Sequence, residues 1–113
     1  MSLERQRFQN KVVIVTGAAQ GIGRGVALQV AAEGAQVVMA DRSDYVEDVL
    51  LEIKAEGGHA VTIHADLETF AGAESVVAKA IATYGRVDVL INNVGGAIWM
   101  KPFQEFSEEE IIK

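Results

Sequence analysis

The sequence predicts an α/β protein in which helices cover both faces of a doubly wound parallel β-sheet. Three observations support this prediction. Apolar β-branched residues fill positions 12–15, as expected for a strand that is buried on both faces. A turn whose glycines have the spacing G-x3-G-x-G follows this run directly. Helix-like and strand-like segments then alternate along the chain, which is typical of parallel sheets.

Length and composition fit one folded domain. The chain has 113 residues, half of them hydrophobic and 23% charged, which is the range of globular proteins. We expect a loose N-terminal arm over residues 1–10, with Phe8 folding back onto the sheet, and a single domain over residues 11–113. The net charge of -6 argues against a nucleic-acid partner. No cysteine is present, so disulfides and thiolate metal sites are excluded.

No apolar run is long enough for a membrane span or a secretion signal. We therefore expect a cytoplasmic protein without membrane contacts.

The glycine turn is the first candidate functional element. Gly17 can adopt the positive φ that a tight strand-to-helix turn requires, Gly21 leaves room for a ligand, and Gly23 lets the next helix lie close to the strand. The N-terminus of that helix presents free N–H groups, which favours a bound diphosphate. The alternative is an ordinary βα loop whose glycines serve turn geometry alone.

The second strand adds the context that this motif needs. Residues 37–40 form another apolar run, and Asp41 follows it, 24 residues after Gly17. An acidic residue near this distance accepts hydrogen bonds from adenosine ribose hydroxyls in dinucleotide-binding folds. The alternative role for Asp41 is an N-cap of the next helix, which Ser43 could supply equally well. Together with the third and fourth strands described below and right-handed crossovers, this motif predicts a partial Rossmann-type sheet with strand order 3-2-1-4 and three αβα layers.

Each predicted helix has one apolar face and ends at a glycine. The first, over residues 21–33, directs Ile22, Val26 and Val30 to the sheet and ends at Gly34. The second, capped by Ser43, has as its apolar face Val46, Val49, Leu50 and Ile53, before Gly57. The third, over residues 70–84, buries Val76, Val77, Ala80, Ile81 and Tyr84, before Gly85.

A third strand over residues 60–65 alternates in polarity, which indicates a position near the sheet edge. His59 and His64 lack a third ligand nearby, so we expect no metal site. Asp66 follows this strand at the edge where ligands bind. Its carboxylate could accept a hydrogen bond from an adenine amino group or cap the following helix.

The fourth strand, over residues 87–91, leads into two asparagines and two glycines. Asn92 and Asn93 can hydrogen-bond to neighbouring strands, while Gly95 can admit the cofactor sugar. A simple Asn/Gly turn is the alternative. Residues 97–103 are predicted to form an apolar loop, in which Trp99 packs against a neighbour or partner subunit in preference to substrate. Ser107 begins a capping box and a further helix.

Three motifs together resemble the short-chain dehydrogenase/reductase family: Thr16-Gly17-x-x-x-Gly21-Ile22-Gly23, Asp66-Leu67 and Asn92-Asn93-x-Gly95. The resemblance implies that the backbone at Gln20 and Ile22 contacts the cofactor diphosphate. It also implies that Asp41 selects NAD over NADP, although Arg42 is a base that could hold a 2′-phosphate. Asp66 would contact the adenine, and the backbone of Asn93 the adenosine-side ribose.

The same resemblance places the catalytic serine, tyrosine and lysine outside this chain. Neither Tyr45 nor Tyr84 is followed by lysine four positions later, so no catalytic residue is assigned. The sequence Asn92-Asn93-Val94-Gly95-Gly96 is similar to the branch of the family that oxidises cis-dihydrodiol carboxylates to catechols with NAD. Alternatives are a keto-acyl or sugar-alcohol dehydrogenase, or a non-catalytic NAD-binding module.

The family's strand order has one consequence for assembly. Without a fifth strand, residues 87–91 would form a bare apolar edge, so we expect the isolated chain to self-associate. For the complete protein we expect a homo-oligomer acting on a small-molecule substrate.

Overall fold

The computed structural model of the chain describes residues 7–67 and 69–93, and the backbone of the strand at 99–102. The elements in chain order are β1 (Val12–Thr16), α1 (Gly21–Ala32), β2 (Gln36–Asp41), α2 (Val46–Ala55), β3 (His59–His64), α3 (Phe70–Tyr84), β4 (Val89–Asn92) and β5 (Trp99–Pro102). The sheet order is β3-β2-β1-β4-β5. The first four strands pair in parallel, so the predicted order 3-2-1-4 is confirmed.

Two apolar cores lie on opposite faces of this sheet. Val13 and Val15 of β1 pack into one core with α1 and α2. Val12 and Ile14 pack into the other, together with α3. Successive side chains of a strand point to opposite faces, and β1 is fully buried because helices cover both. The predicted three-layer αβα arrangement is therefore confirmed.

Two predicted core residues are instead exposed. Ile22 in α1 is 65% exposed and Ile81 in α3 is 51% exposed. Each lies one residue, about 100° of helix rotation, from the position that faces the sheet, which is Gly23 in α1 and Ala80 in α3. Small residues make these closest approaches. The rest of the predicted apolar faces is confirmed at Val30, Val76 and Ala80, which are buried.

The predicted helix ends are confirmed at Gly34, Gly57 and Gly85, all of which have positive φ. The prediction that Ser43 caps α2 is wrong. The N-cap residue of α2 is Tyr45, without a side-chain cap, and the Ser43 hydroxyl accepts a hydrogen bond from the Tyr45 N–H at 3.1 Å. Ser43 therefore stabilises the turn before the helix.

The predicted loop over residues 97–103 is wrong for its central part, because Trp99–Pro102 forms β5, antiparallel to β4. The main-chain groups of β4 thus have a partner, and the expectation that this strand is a bare edge is also wrong. Pro102 lies at the end of an edge strand, where proline is tolerated. The predictions for Gly95 and for the helix at Ser107, like that for the side-chain contacts of Trp99, lie outside the described residues.

The segment before β1 is attached to the core. Phe8 is partly buried against the core formed with α1 and α2, as expected, and its N–H donates to the Glu33 carbonyl at 3.0 Å. The buried Glu33 carboxylate also receives hydrogen bonds from the guanidinium of Arg7. These contacts fix the residues just before β1 to the C-terminal end of α1.

Candidate functional site

The carboxyl ends of β1, β2 and β4 meet at one edge of the sheet. Thr16 is the last residue of β1, Asp41 of β2 and Asn92 of β4. Parallel strands end on the same side, and open α/β sheets bind ligands just outside these ends. Hydrogen bonds link Thr16 and Gly17 to Asn93 at this edge, and Asp41 to Ala19 of the glycine turn. Gly95 lies outside the described residues.

The glycine turn has the geometry that its spacing predicts. Gly17 and Gly21 both have φ of +63°, which disfavours any residue with a Cβ. A Cβ on Gly23 would lie 2.0 Å from the Gly17 carbonyl oxygen. The helix therefore begins in direct contact with the turn, and only glycine fits at this crossing.

The amides of this turn fall into two groups. The N–H groups of Gly17 and Ala18 donate to the Ala40 carbonyl at 2.8 and 3.4 Å, and that of Ala19 donates to Asp41 Oδ2 at 3.0 Å. The amides of the first turn of a helix have no intrahelical acceptor. No side chain caps α1 and no acidic residue lies in its first turn. These amides, which follow Gln20, have the arrangement that favours a bound anion.

Asp41 uses both carboxylate oxygens. Oδ2 accepts from Ala19, and Oδ1 accepts from the Ser43 N–H at 2.9 Å. Since α2 begins only at Val46, the alternative that Asp41 caps this helix is excluded. The carboxylate instead joins the glycine turn to the turn after β2, a contact that the sequence did not reveal.

Thr16 connects β1 to β4 through its buried hydroxyl. It accepts from the Asn93 N–H at 2.9 Å and donates to Asn92 Oδ1 at 3.0 Å. The Asn93 amide group donates to the Gly17 carbonyl at 3.3 Å. The prediction that the asparagine pair bonds across to a neighbouring strand is confirmed. Only the position of Thr16 in the glycine motif indicated that its hydroxyl would be the central group of this network.

Asp66 and Arg42 face one another beside this edge. Arg42 Nη1 lies 4.0 Å from Asp66 Oδ1, and the Asp66 side chain is 49% exposed. The N-cap of α3 is Thr69, whose hydroxyl accepts from the Gly72 N–H at 2.9 Å. The capping alternative for Asp66 is therefore excluded. Leu67 is partly buried against the core beneath α3.

The remaining candidates lie apart from the glycine turn. His64 at the end of β3 lies 3.4 Å from Asp44 and 3.5 Å from Glu47. Within residues 7–67 and 69–93, no cluster of three His, Asp or Glu side chains is arranged to hold a metal ion. Tyr84 ends α3, and burial raises the pKa of its phenol, which is opposite to what a general base requires.

None of the described helices is sufficiently long and apolar to cross a membrane.

Comparison with known sequences identifies a family and relatives of this chain. The sequence profile of the short chain dehydrogenase family matches residues 11–113. A 1,6-dihydroxycyclohexa-2,4-diene-1-carboxylate dehydrogenase from Acinetobacter baylyi is 72% identical over 108 residues, which are 96% of this chain and 41% of that protein. The enzyme of the same name from Pseudomonas putida is 49% identical over 94% of this chain and 39% of its own length. The chain thus spans about two fifths of these relatives.

Solved structures resemble the fold with comparable coverage. A hydroxysteroid dehydrogenase from Escherichia coli superposes with a TM-score of 0.76 at 34% identity, over 79% of this chain and 38% of its own. A 7α-hydroxysteroid dehydrogenase complexed with NADH gives 0.74 at 33% identity, over 80% and 36%. A metagenomic short-chain oxidoreductase in complex with NADP gives 0.69 at 34% identity, over 74% and 38%.

Proposed function

This chain belongs to the short chain dehydrogenase family, whose members bind a nicotinamide cofactor, and we propose that it forms the NAD-binding half of an oxidoreductase. The observation that carries this proposal is the uncapped N-terminus of α1, which follows directly on the glycine turn. Backbone amides in this position bind phosphate without requiring basic side chains, which suits a chain with a net charge of -6.

The residues at this edge fit a dinucleotide. The backbone at Gln20 and Ile22, with the three motif glycines, would hold the diphosphate. Asp66 and Leu67 would border the adenine, while Asn93 and Gly95 would border the adenosine-side ribose. Thr16 supports this floor through the hydrogen bonds described above. When bound, the nicotinamide accepts or returns a hydride.

The charges beside the site favour NAD over NADP. A 2′-phosphate would approach the Asp41 carboxylate, which ends β2, and like charges at short range repel. Arg42 is the nearest base in sequence, but its guanidinium lies toward the Asp66 carboxylate at 4.0 Å. Its positive charge is therefore partly compensated before any phosphate binds.

For the substrate we propose a cis-dihydrodiol carboxylate, because identity to the 1,6-dihydroxycyclohexa-2,4-diene-1-carboxylate dehydrogenase of A. baylyi reaches 72%. Oxidation at C6 removes a hydride from carbon and a proton from its hydroxyl. The product is a β-keto acid, which loses carbon dioxide and aromatises to a catechol.

We assign no proton transfer to this chain. Tyr45 is 63% exposed at the start of α2, and Tyr84 lies at the end of α3. The catalytic serine, tyrosine and lysine of the family are proposed to belong to the part of the complete protein beyond this chain. The chain's own contribution is to bind and orient the adenosine end of the cofactor.

Titration calorimetry with NAD and NADP tests the cofactor assignment. We expect NAD to bind at least tenfold more tightly, since the repulsion at Asp41 is of the order of one charge pair near a protein surface. Equal affinities, or a preference for NADP, would contradict the assignment. In the complete protein, NADH formation with the cis-diol carboxylate should exceed that with glucose or a 3-hydroxyacyl thioester. A preference for either of those substrates would support the sugar-alcohol or keto-acyl alternative.

A further inference from the structure

We propose that Asp41 is a positioning residue that holds the glycine turn in its binding conformation before a nucleotide arrives. This inference rests on the proposed function, because it gives a second task to a residue of the same site. The contact with ribose hydroxyls would be one task of its carboxylate. Fixing the loop that binds the diphosphate would be the other.

The carboxylate accepts hydrogen bonds from two separate turns. Oδ2 accepts from the Ala19 N–H of the glycine turn at 3.0 Å. Oδ1 accepts from the Ser43 N–H of the turn after β2 at 2.9 Å. Asp41 is itself held in the sheet, because it pairs with His64 of β3. A residue anchored in a sheet can position mobile backbone on either side of it.

Three consecutive amides of the glycine turn donate hydrogen bonds to the last two residues of β2. Those of Gly17 and Ala18 donate to the Ala40 carbonyl, and that of Ala19 donates to Asp41. Only the third depends on a side chain. The Ala19 amide is also the last hydrogen-bonded amide of the turn before Gln20 and the first amides of α1. Its position therefore sets the direction in which the α1 amides point.

Losing this acceptor would disturb the turn itself. Ala18 and Ala19 are buried, with 0% and 4% of their surface exposed. A buried amide without a partner is costly, so the backbone at Ala19 would rotate to find water or another carbonyl. The amides that follow would move with it.

Holding the turn and binding ribose are compatible. An ionised carboxylate offers about four acceptor positions on its two oxygens, and the two amides use one on each. The hydroxyls can be accepted at those that remain. Asparagine would place an NH₂ group toward one of the two amides, so it can keep only one of these hydrogen bonds.

The inference makes a distinctive prediction about ligands that never touch Asp41. ADP carries ribose hydroxyls, whereas 2′,3′-dideoxy-ADP has the same diphosphate and adenine without them. If Asp41 only bound ribose, Asp41→Ala would leave the affinity for 2′,3′-dideoxy-ADP unchanged or raise it, because a negative charge near an anion is removed. If Asp41 also positions the turn, this affinity falls.

The experiment measures the affinity of the full chain for both ligands by calorimetry. The variants are Asp41→Ala, the isosteric Asp41→Asn, and Asp44→Asn as a matched control. Asp44 is fully exposed in the same turn, so its substitution removes a charge without touching the glycine turn. We expect Asp41→Ala to weaken 2′,3′-dideoxy-ADP binding by about fivefold to tenfold, as for the net loss of one ordinary hydrogen bond. Asp41→Asn should be intermediate and Asp44→Asn unchanged.

A second measurement works without any nucleotide. Amide hydrogen exchange at Ala19 should accelerate in Asp41→Ala and Asp41→Asn, but not in Asp44→Asn. Unchanged exchange at Ala19 would overturn the inference, as would a loss of affinity confined to ADP. If the wild-type chain bound neither nucleotide while exchange at Ala19 still depended on Asp41, the proposed function would fail and the positioning role would stand.

Discussion

Asp88 and Val12 exchange two hydrogen bonds at the amino ends of the strands, on the side of the sheet away from the glycine turn. The Val12 N–H donates to Asp88 Oδ2 at 2.8 Å, and the Asp88 N–H donates to the Val12 carbonyl at 2.9 Å. Arg86 donates to the other carboxylate oxygen through Nε and Nη2. This contact aligns the start of β1 with the entry into β4, so it fixes the register on which the site at the far end of both strands depends.

The charge of Asp88 predicts a pH dependence of stability. Burial raises the pKa of this carboxyl, but the hydrogen bond from Val12 and the Arg86 guanidinium outweigh burial and lower it. A carboxyl with a lower pKa in the folded state stabilises the protein above its unfolded-state pKa of about 3.9. This stabilisation is lost as the pH falls through the folded-state value. Urea unfolding between pH 7 and pH 2.5 measures it.

Asp88→Asn isolates that contribution. The amide can still accept from Val12 but loses the ion pair, so we expect about 1 kcal/mol less stability at pH 7. The difference from wild type should shrink as the pH falls through the folded-state pKa. Glu74→Gln, at an exposed position of α3, is the control that removes a charge without these contacts. A difference that persists undiminished at pH 2.5 would contradict the assignment.

Two glycines in α1 should respond oppositely to alanine. Gly23→Ala places a Cβ 2.0 Å from the Gly17 carbonyl oxygen, which forces helix and turn apart. We expect about 1–3 kcal/mol of destabilisation and a loss of nucleotide affinity. At Gly25 no atom lies within 4 Å of the added Cβ, so Gly25→Ala should stabilise the helix by about 0.5–1 kcal/mol. Thermal unfolding compares the two, and equal effects would refute the close-contact explanation.

Loss of the Thr16 hydroxyl should destabilise the protein more than loss of the Thr16 methyl group. Thr16→Val keeps the shape but leaves the Asn93 N–H without its acceptor, and we expect a cost of about 1–3 kcal/mol. Thr16→Ser retains the hydroxyl and should lose much less. Denaturant midpoints of the three proteins test this order. If Thr16→Ser were as unstable as Thr16→Val, packing of the methyl group would be the important factor.

Cofactor preference should shift when the carboxylate beside the ribose is removed. Asp41→Ser removes the repulsion toward a 2′-phosphate and leaves Arg42 nearby, so the ratio of NADP to NAD affinity should rise by about tenfold or more. Calorimetric titration with both dinucleotides gives this ratio. Adding Arg42→Ala should reverse part of the gain. An unchanged ratio in Asp41→Ser would show that this carboxylate does not face the 2′ position.

Much of the fold could be predicted because its signals are local. The apolar strand segments, their alternation with helices and the glycine spacing predicted the strand order and the layers, since a parallel sheet with right-handed crossovers leaves few alternatives. The helix ends could also be predicted from local sequence, because a glycine with positive φ follows each helix.

The failures share a different cause. Ile22 is exposed because Gly23 makes the tight contact, and spacing does not tell which neighbouring position lies nearest to the sheet. The hydrogen bonds from Ala19 and Ser43 to Asp41 were not predicted, because they depend on how two turns meet in space. Strand β5 was not predicted because no local sequence pattern indicates that this segment pairs with β4.

The central claim is that backbone amides at the start of α1 and the Asp41 carboxylate together bind the adenosine diphosphate part of NAD. Titration of the isotopically labelled chain with ADP, followed by amide chemical shifts, tests this most directly. We expect saturable shifts concentrated at Gln20, Gly21, Ile22 and Gly23, with a second group at Asp41 and Arg42. Shifts confined to other parts of the chain, or none at millimolar ADP, would contradict it.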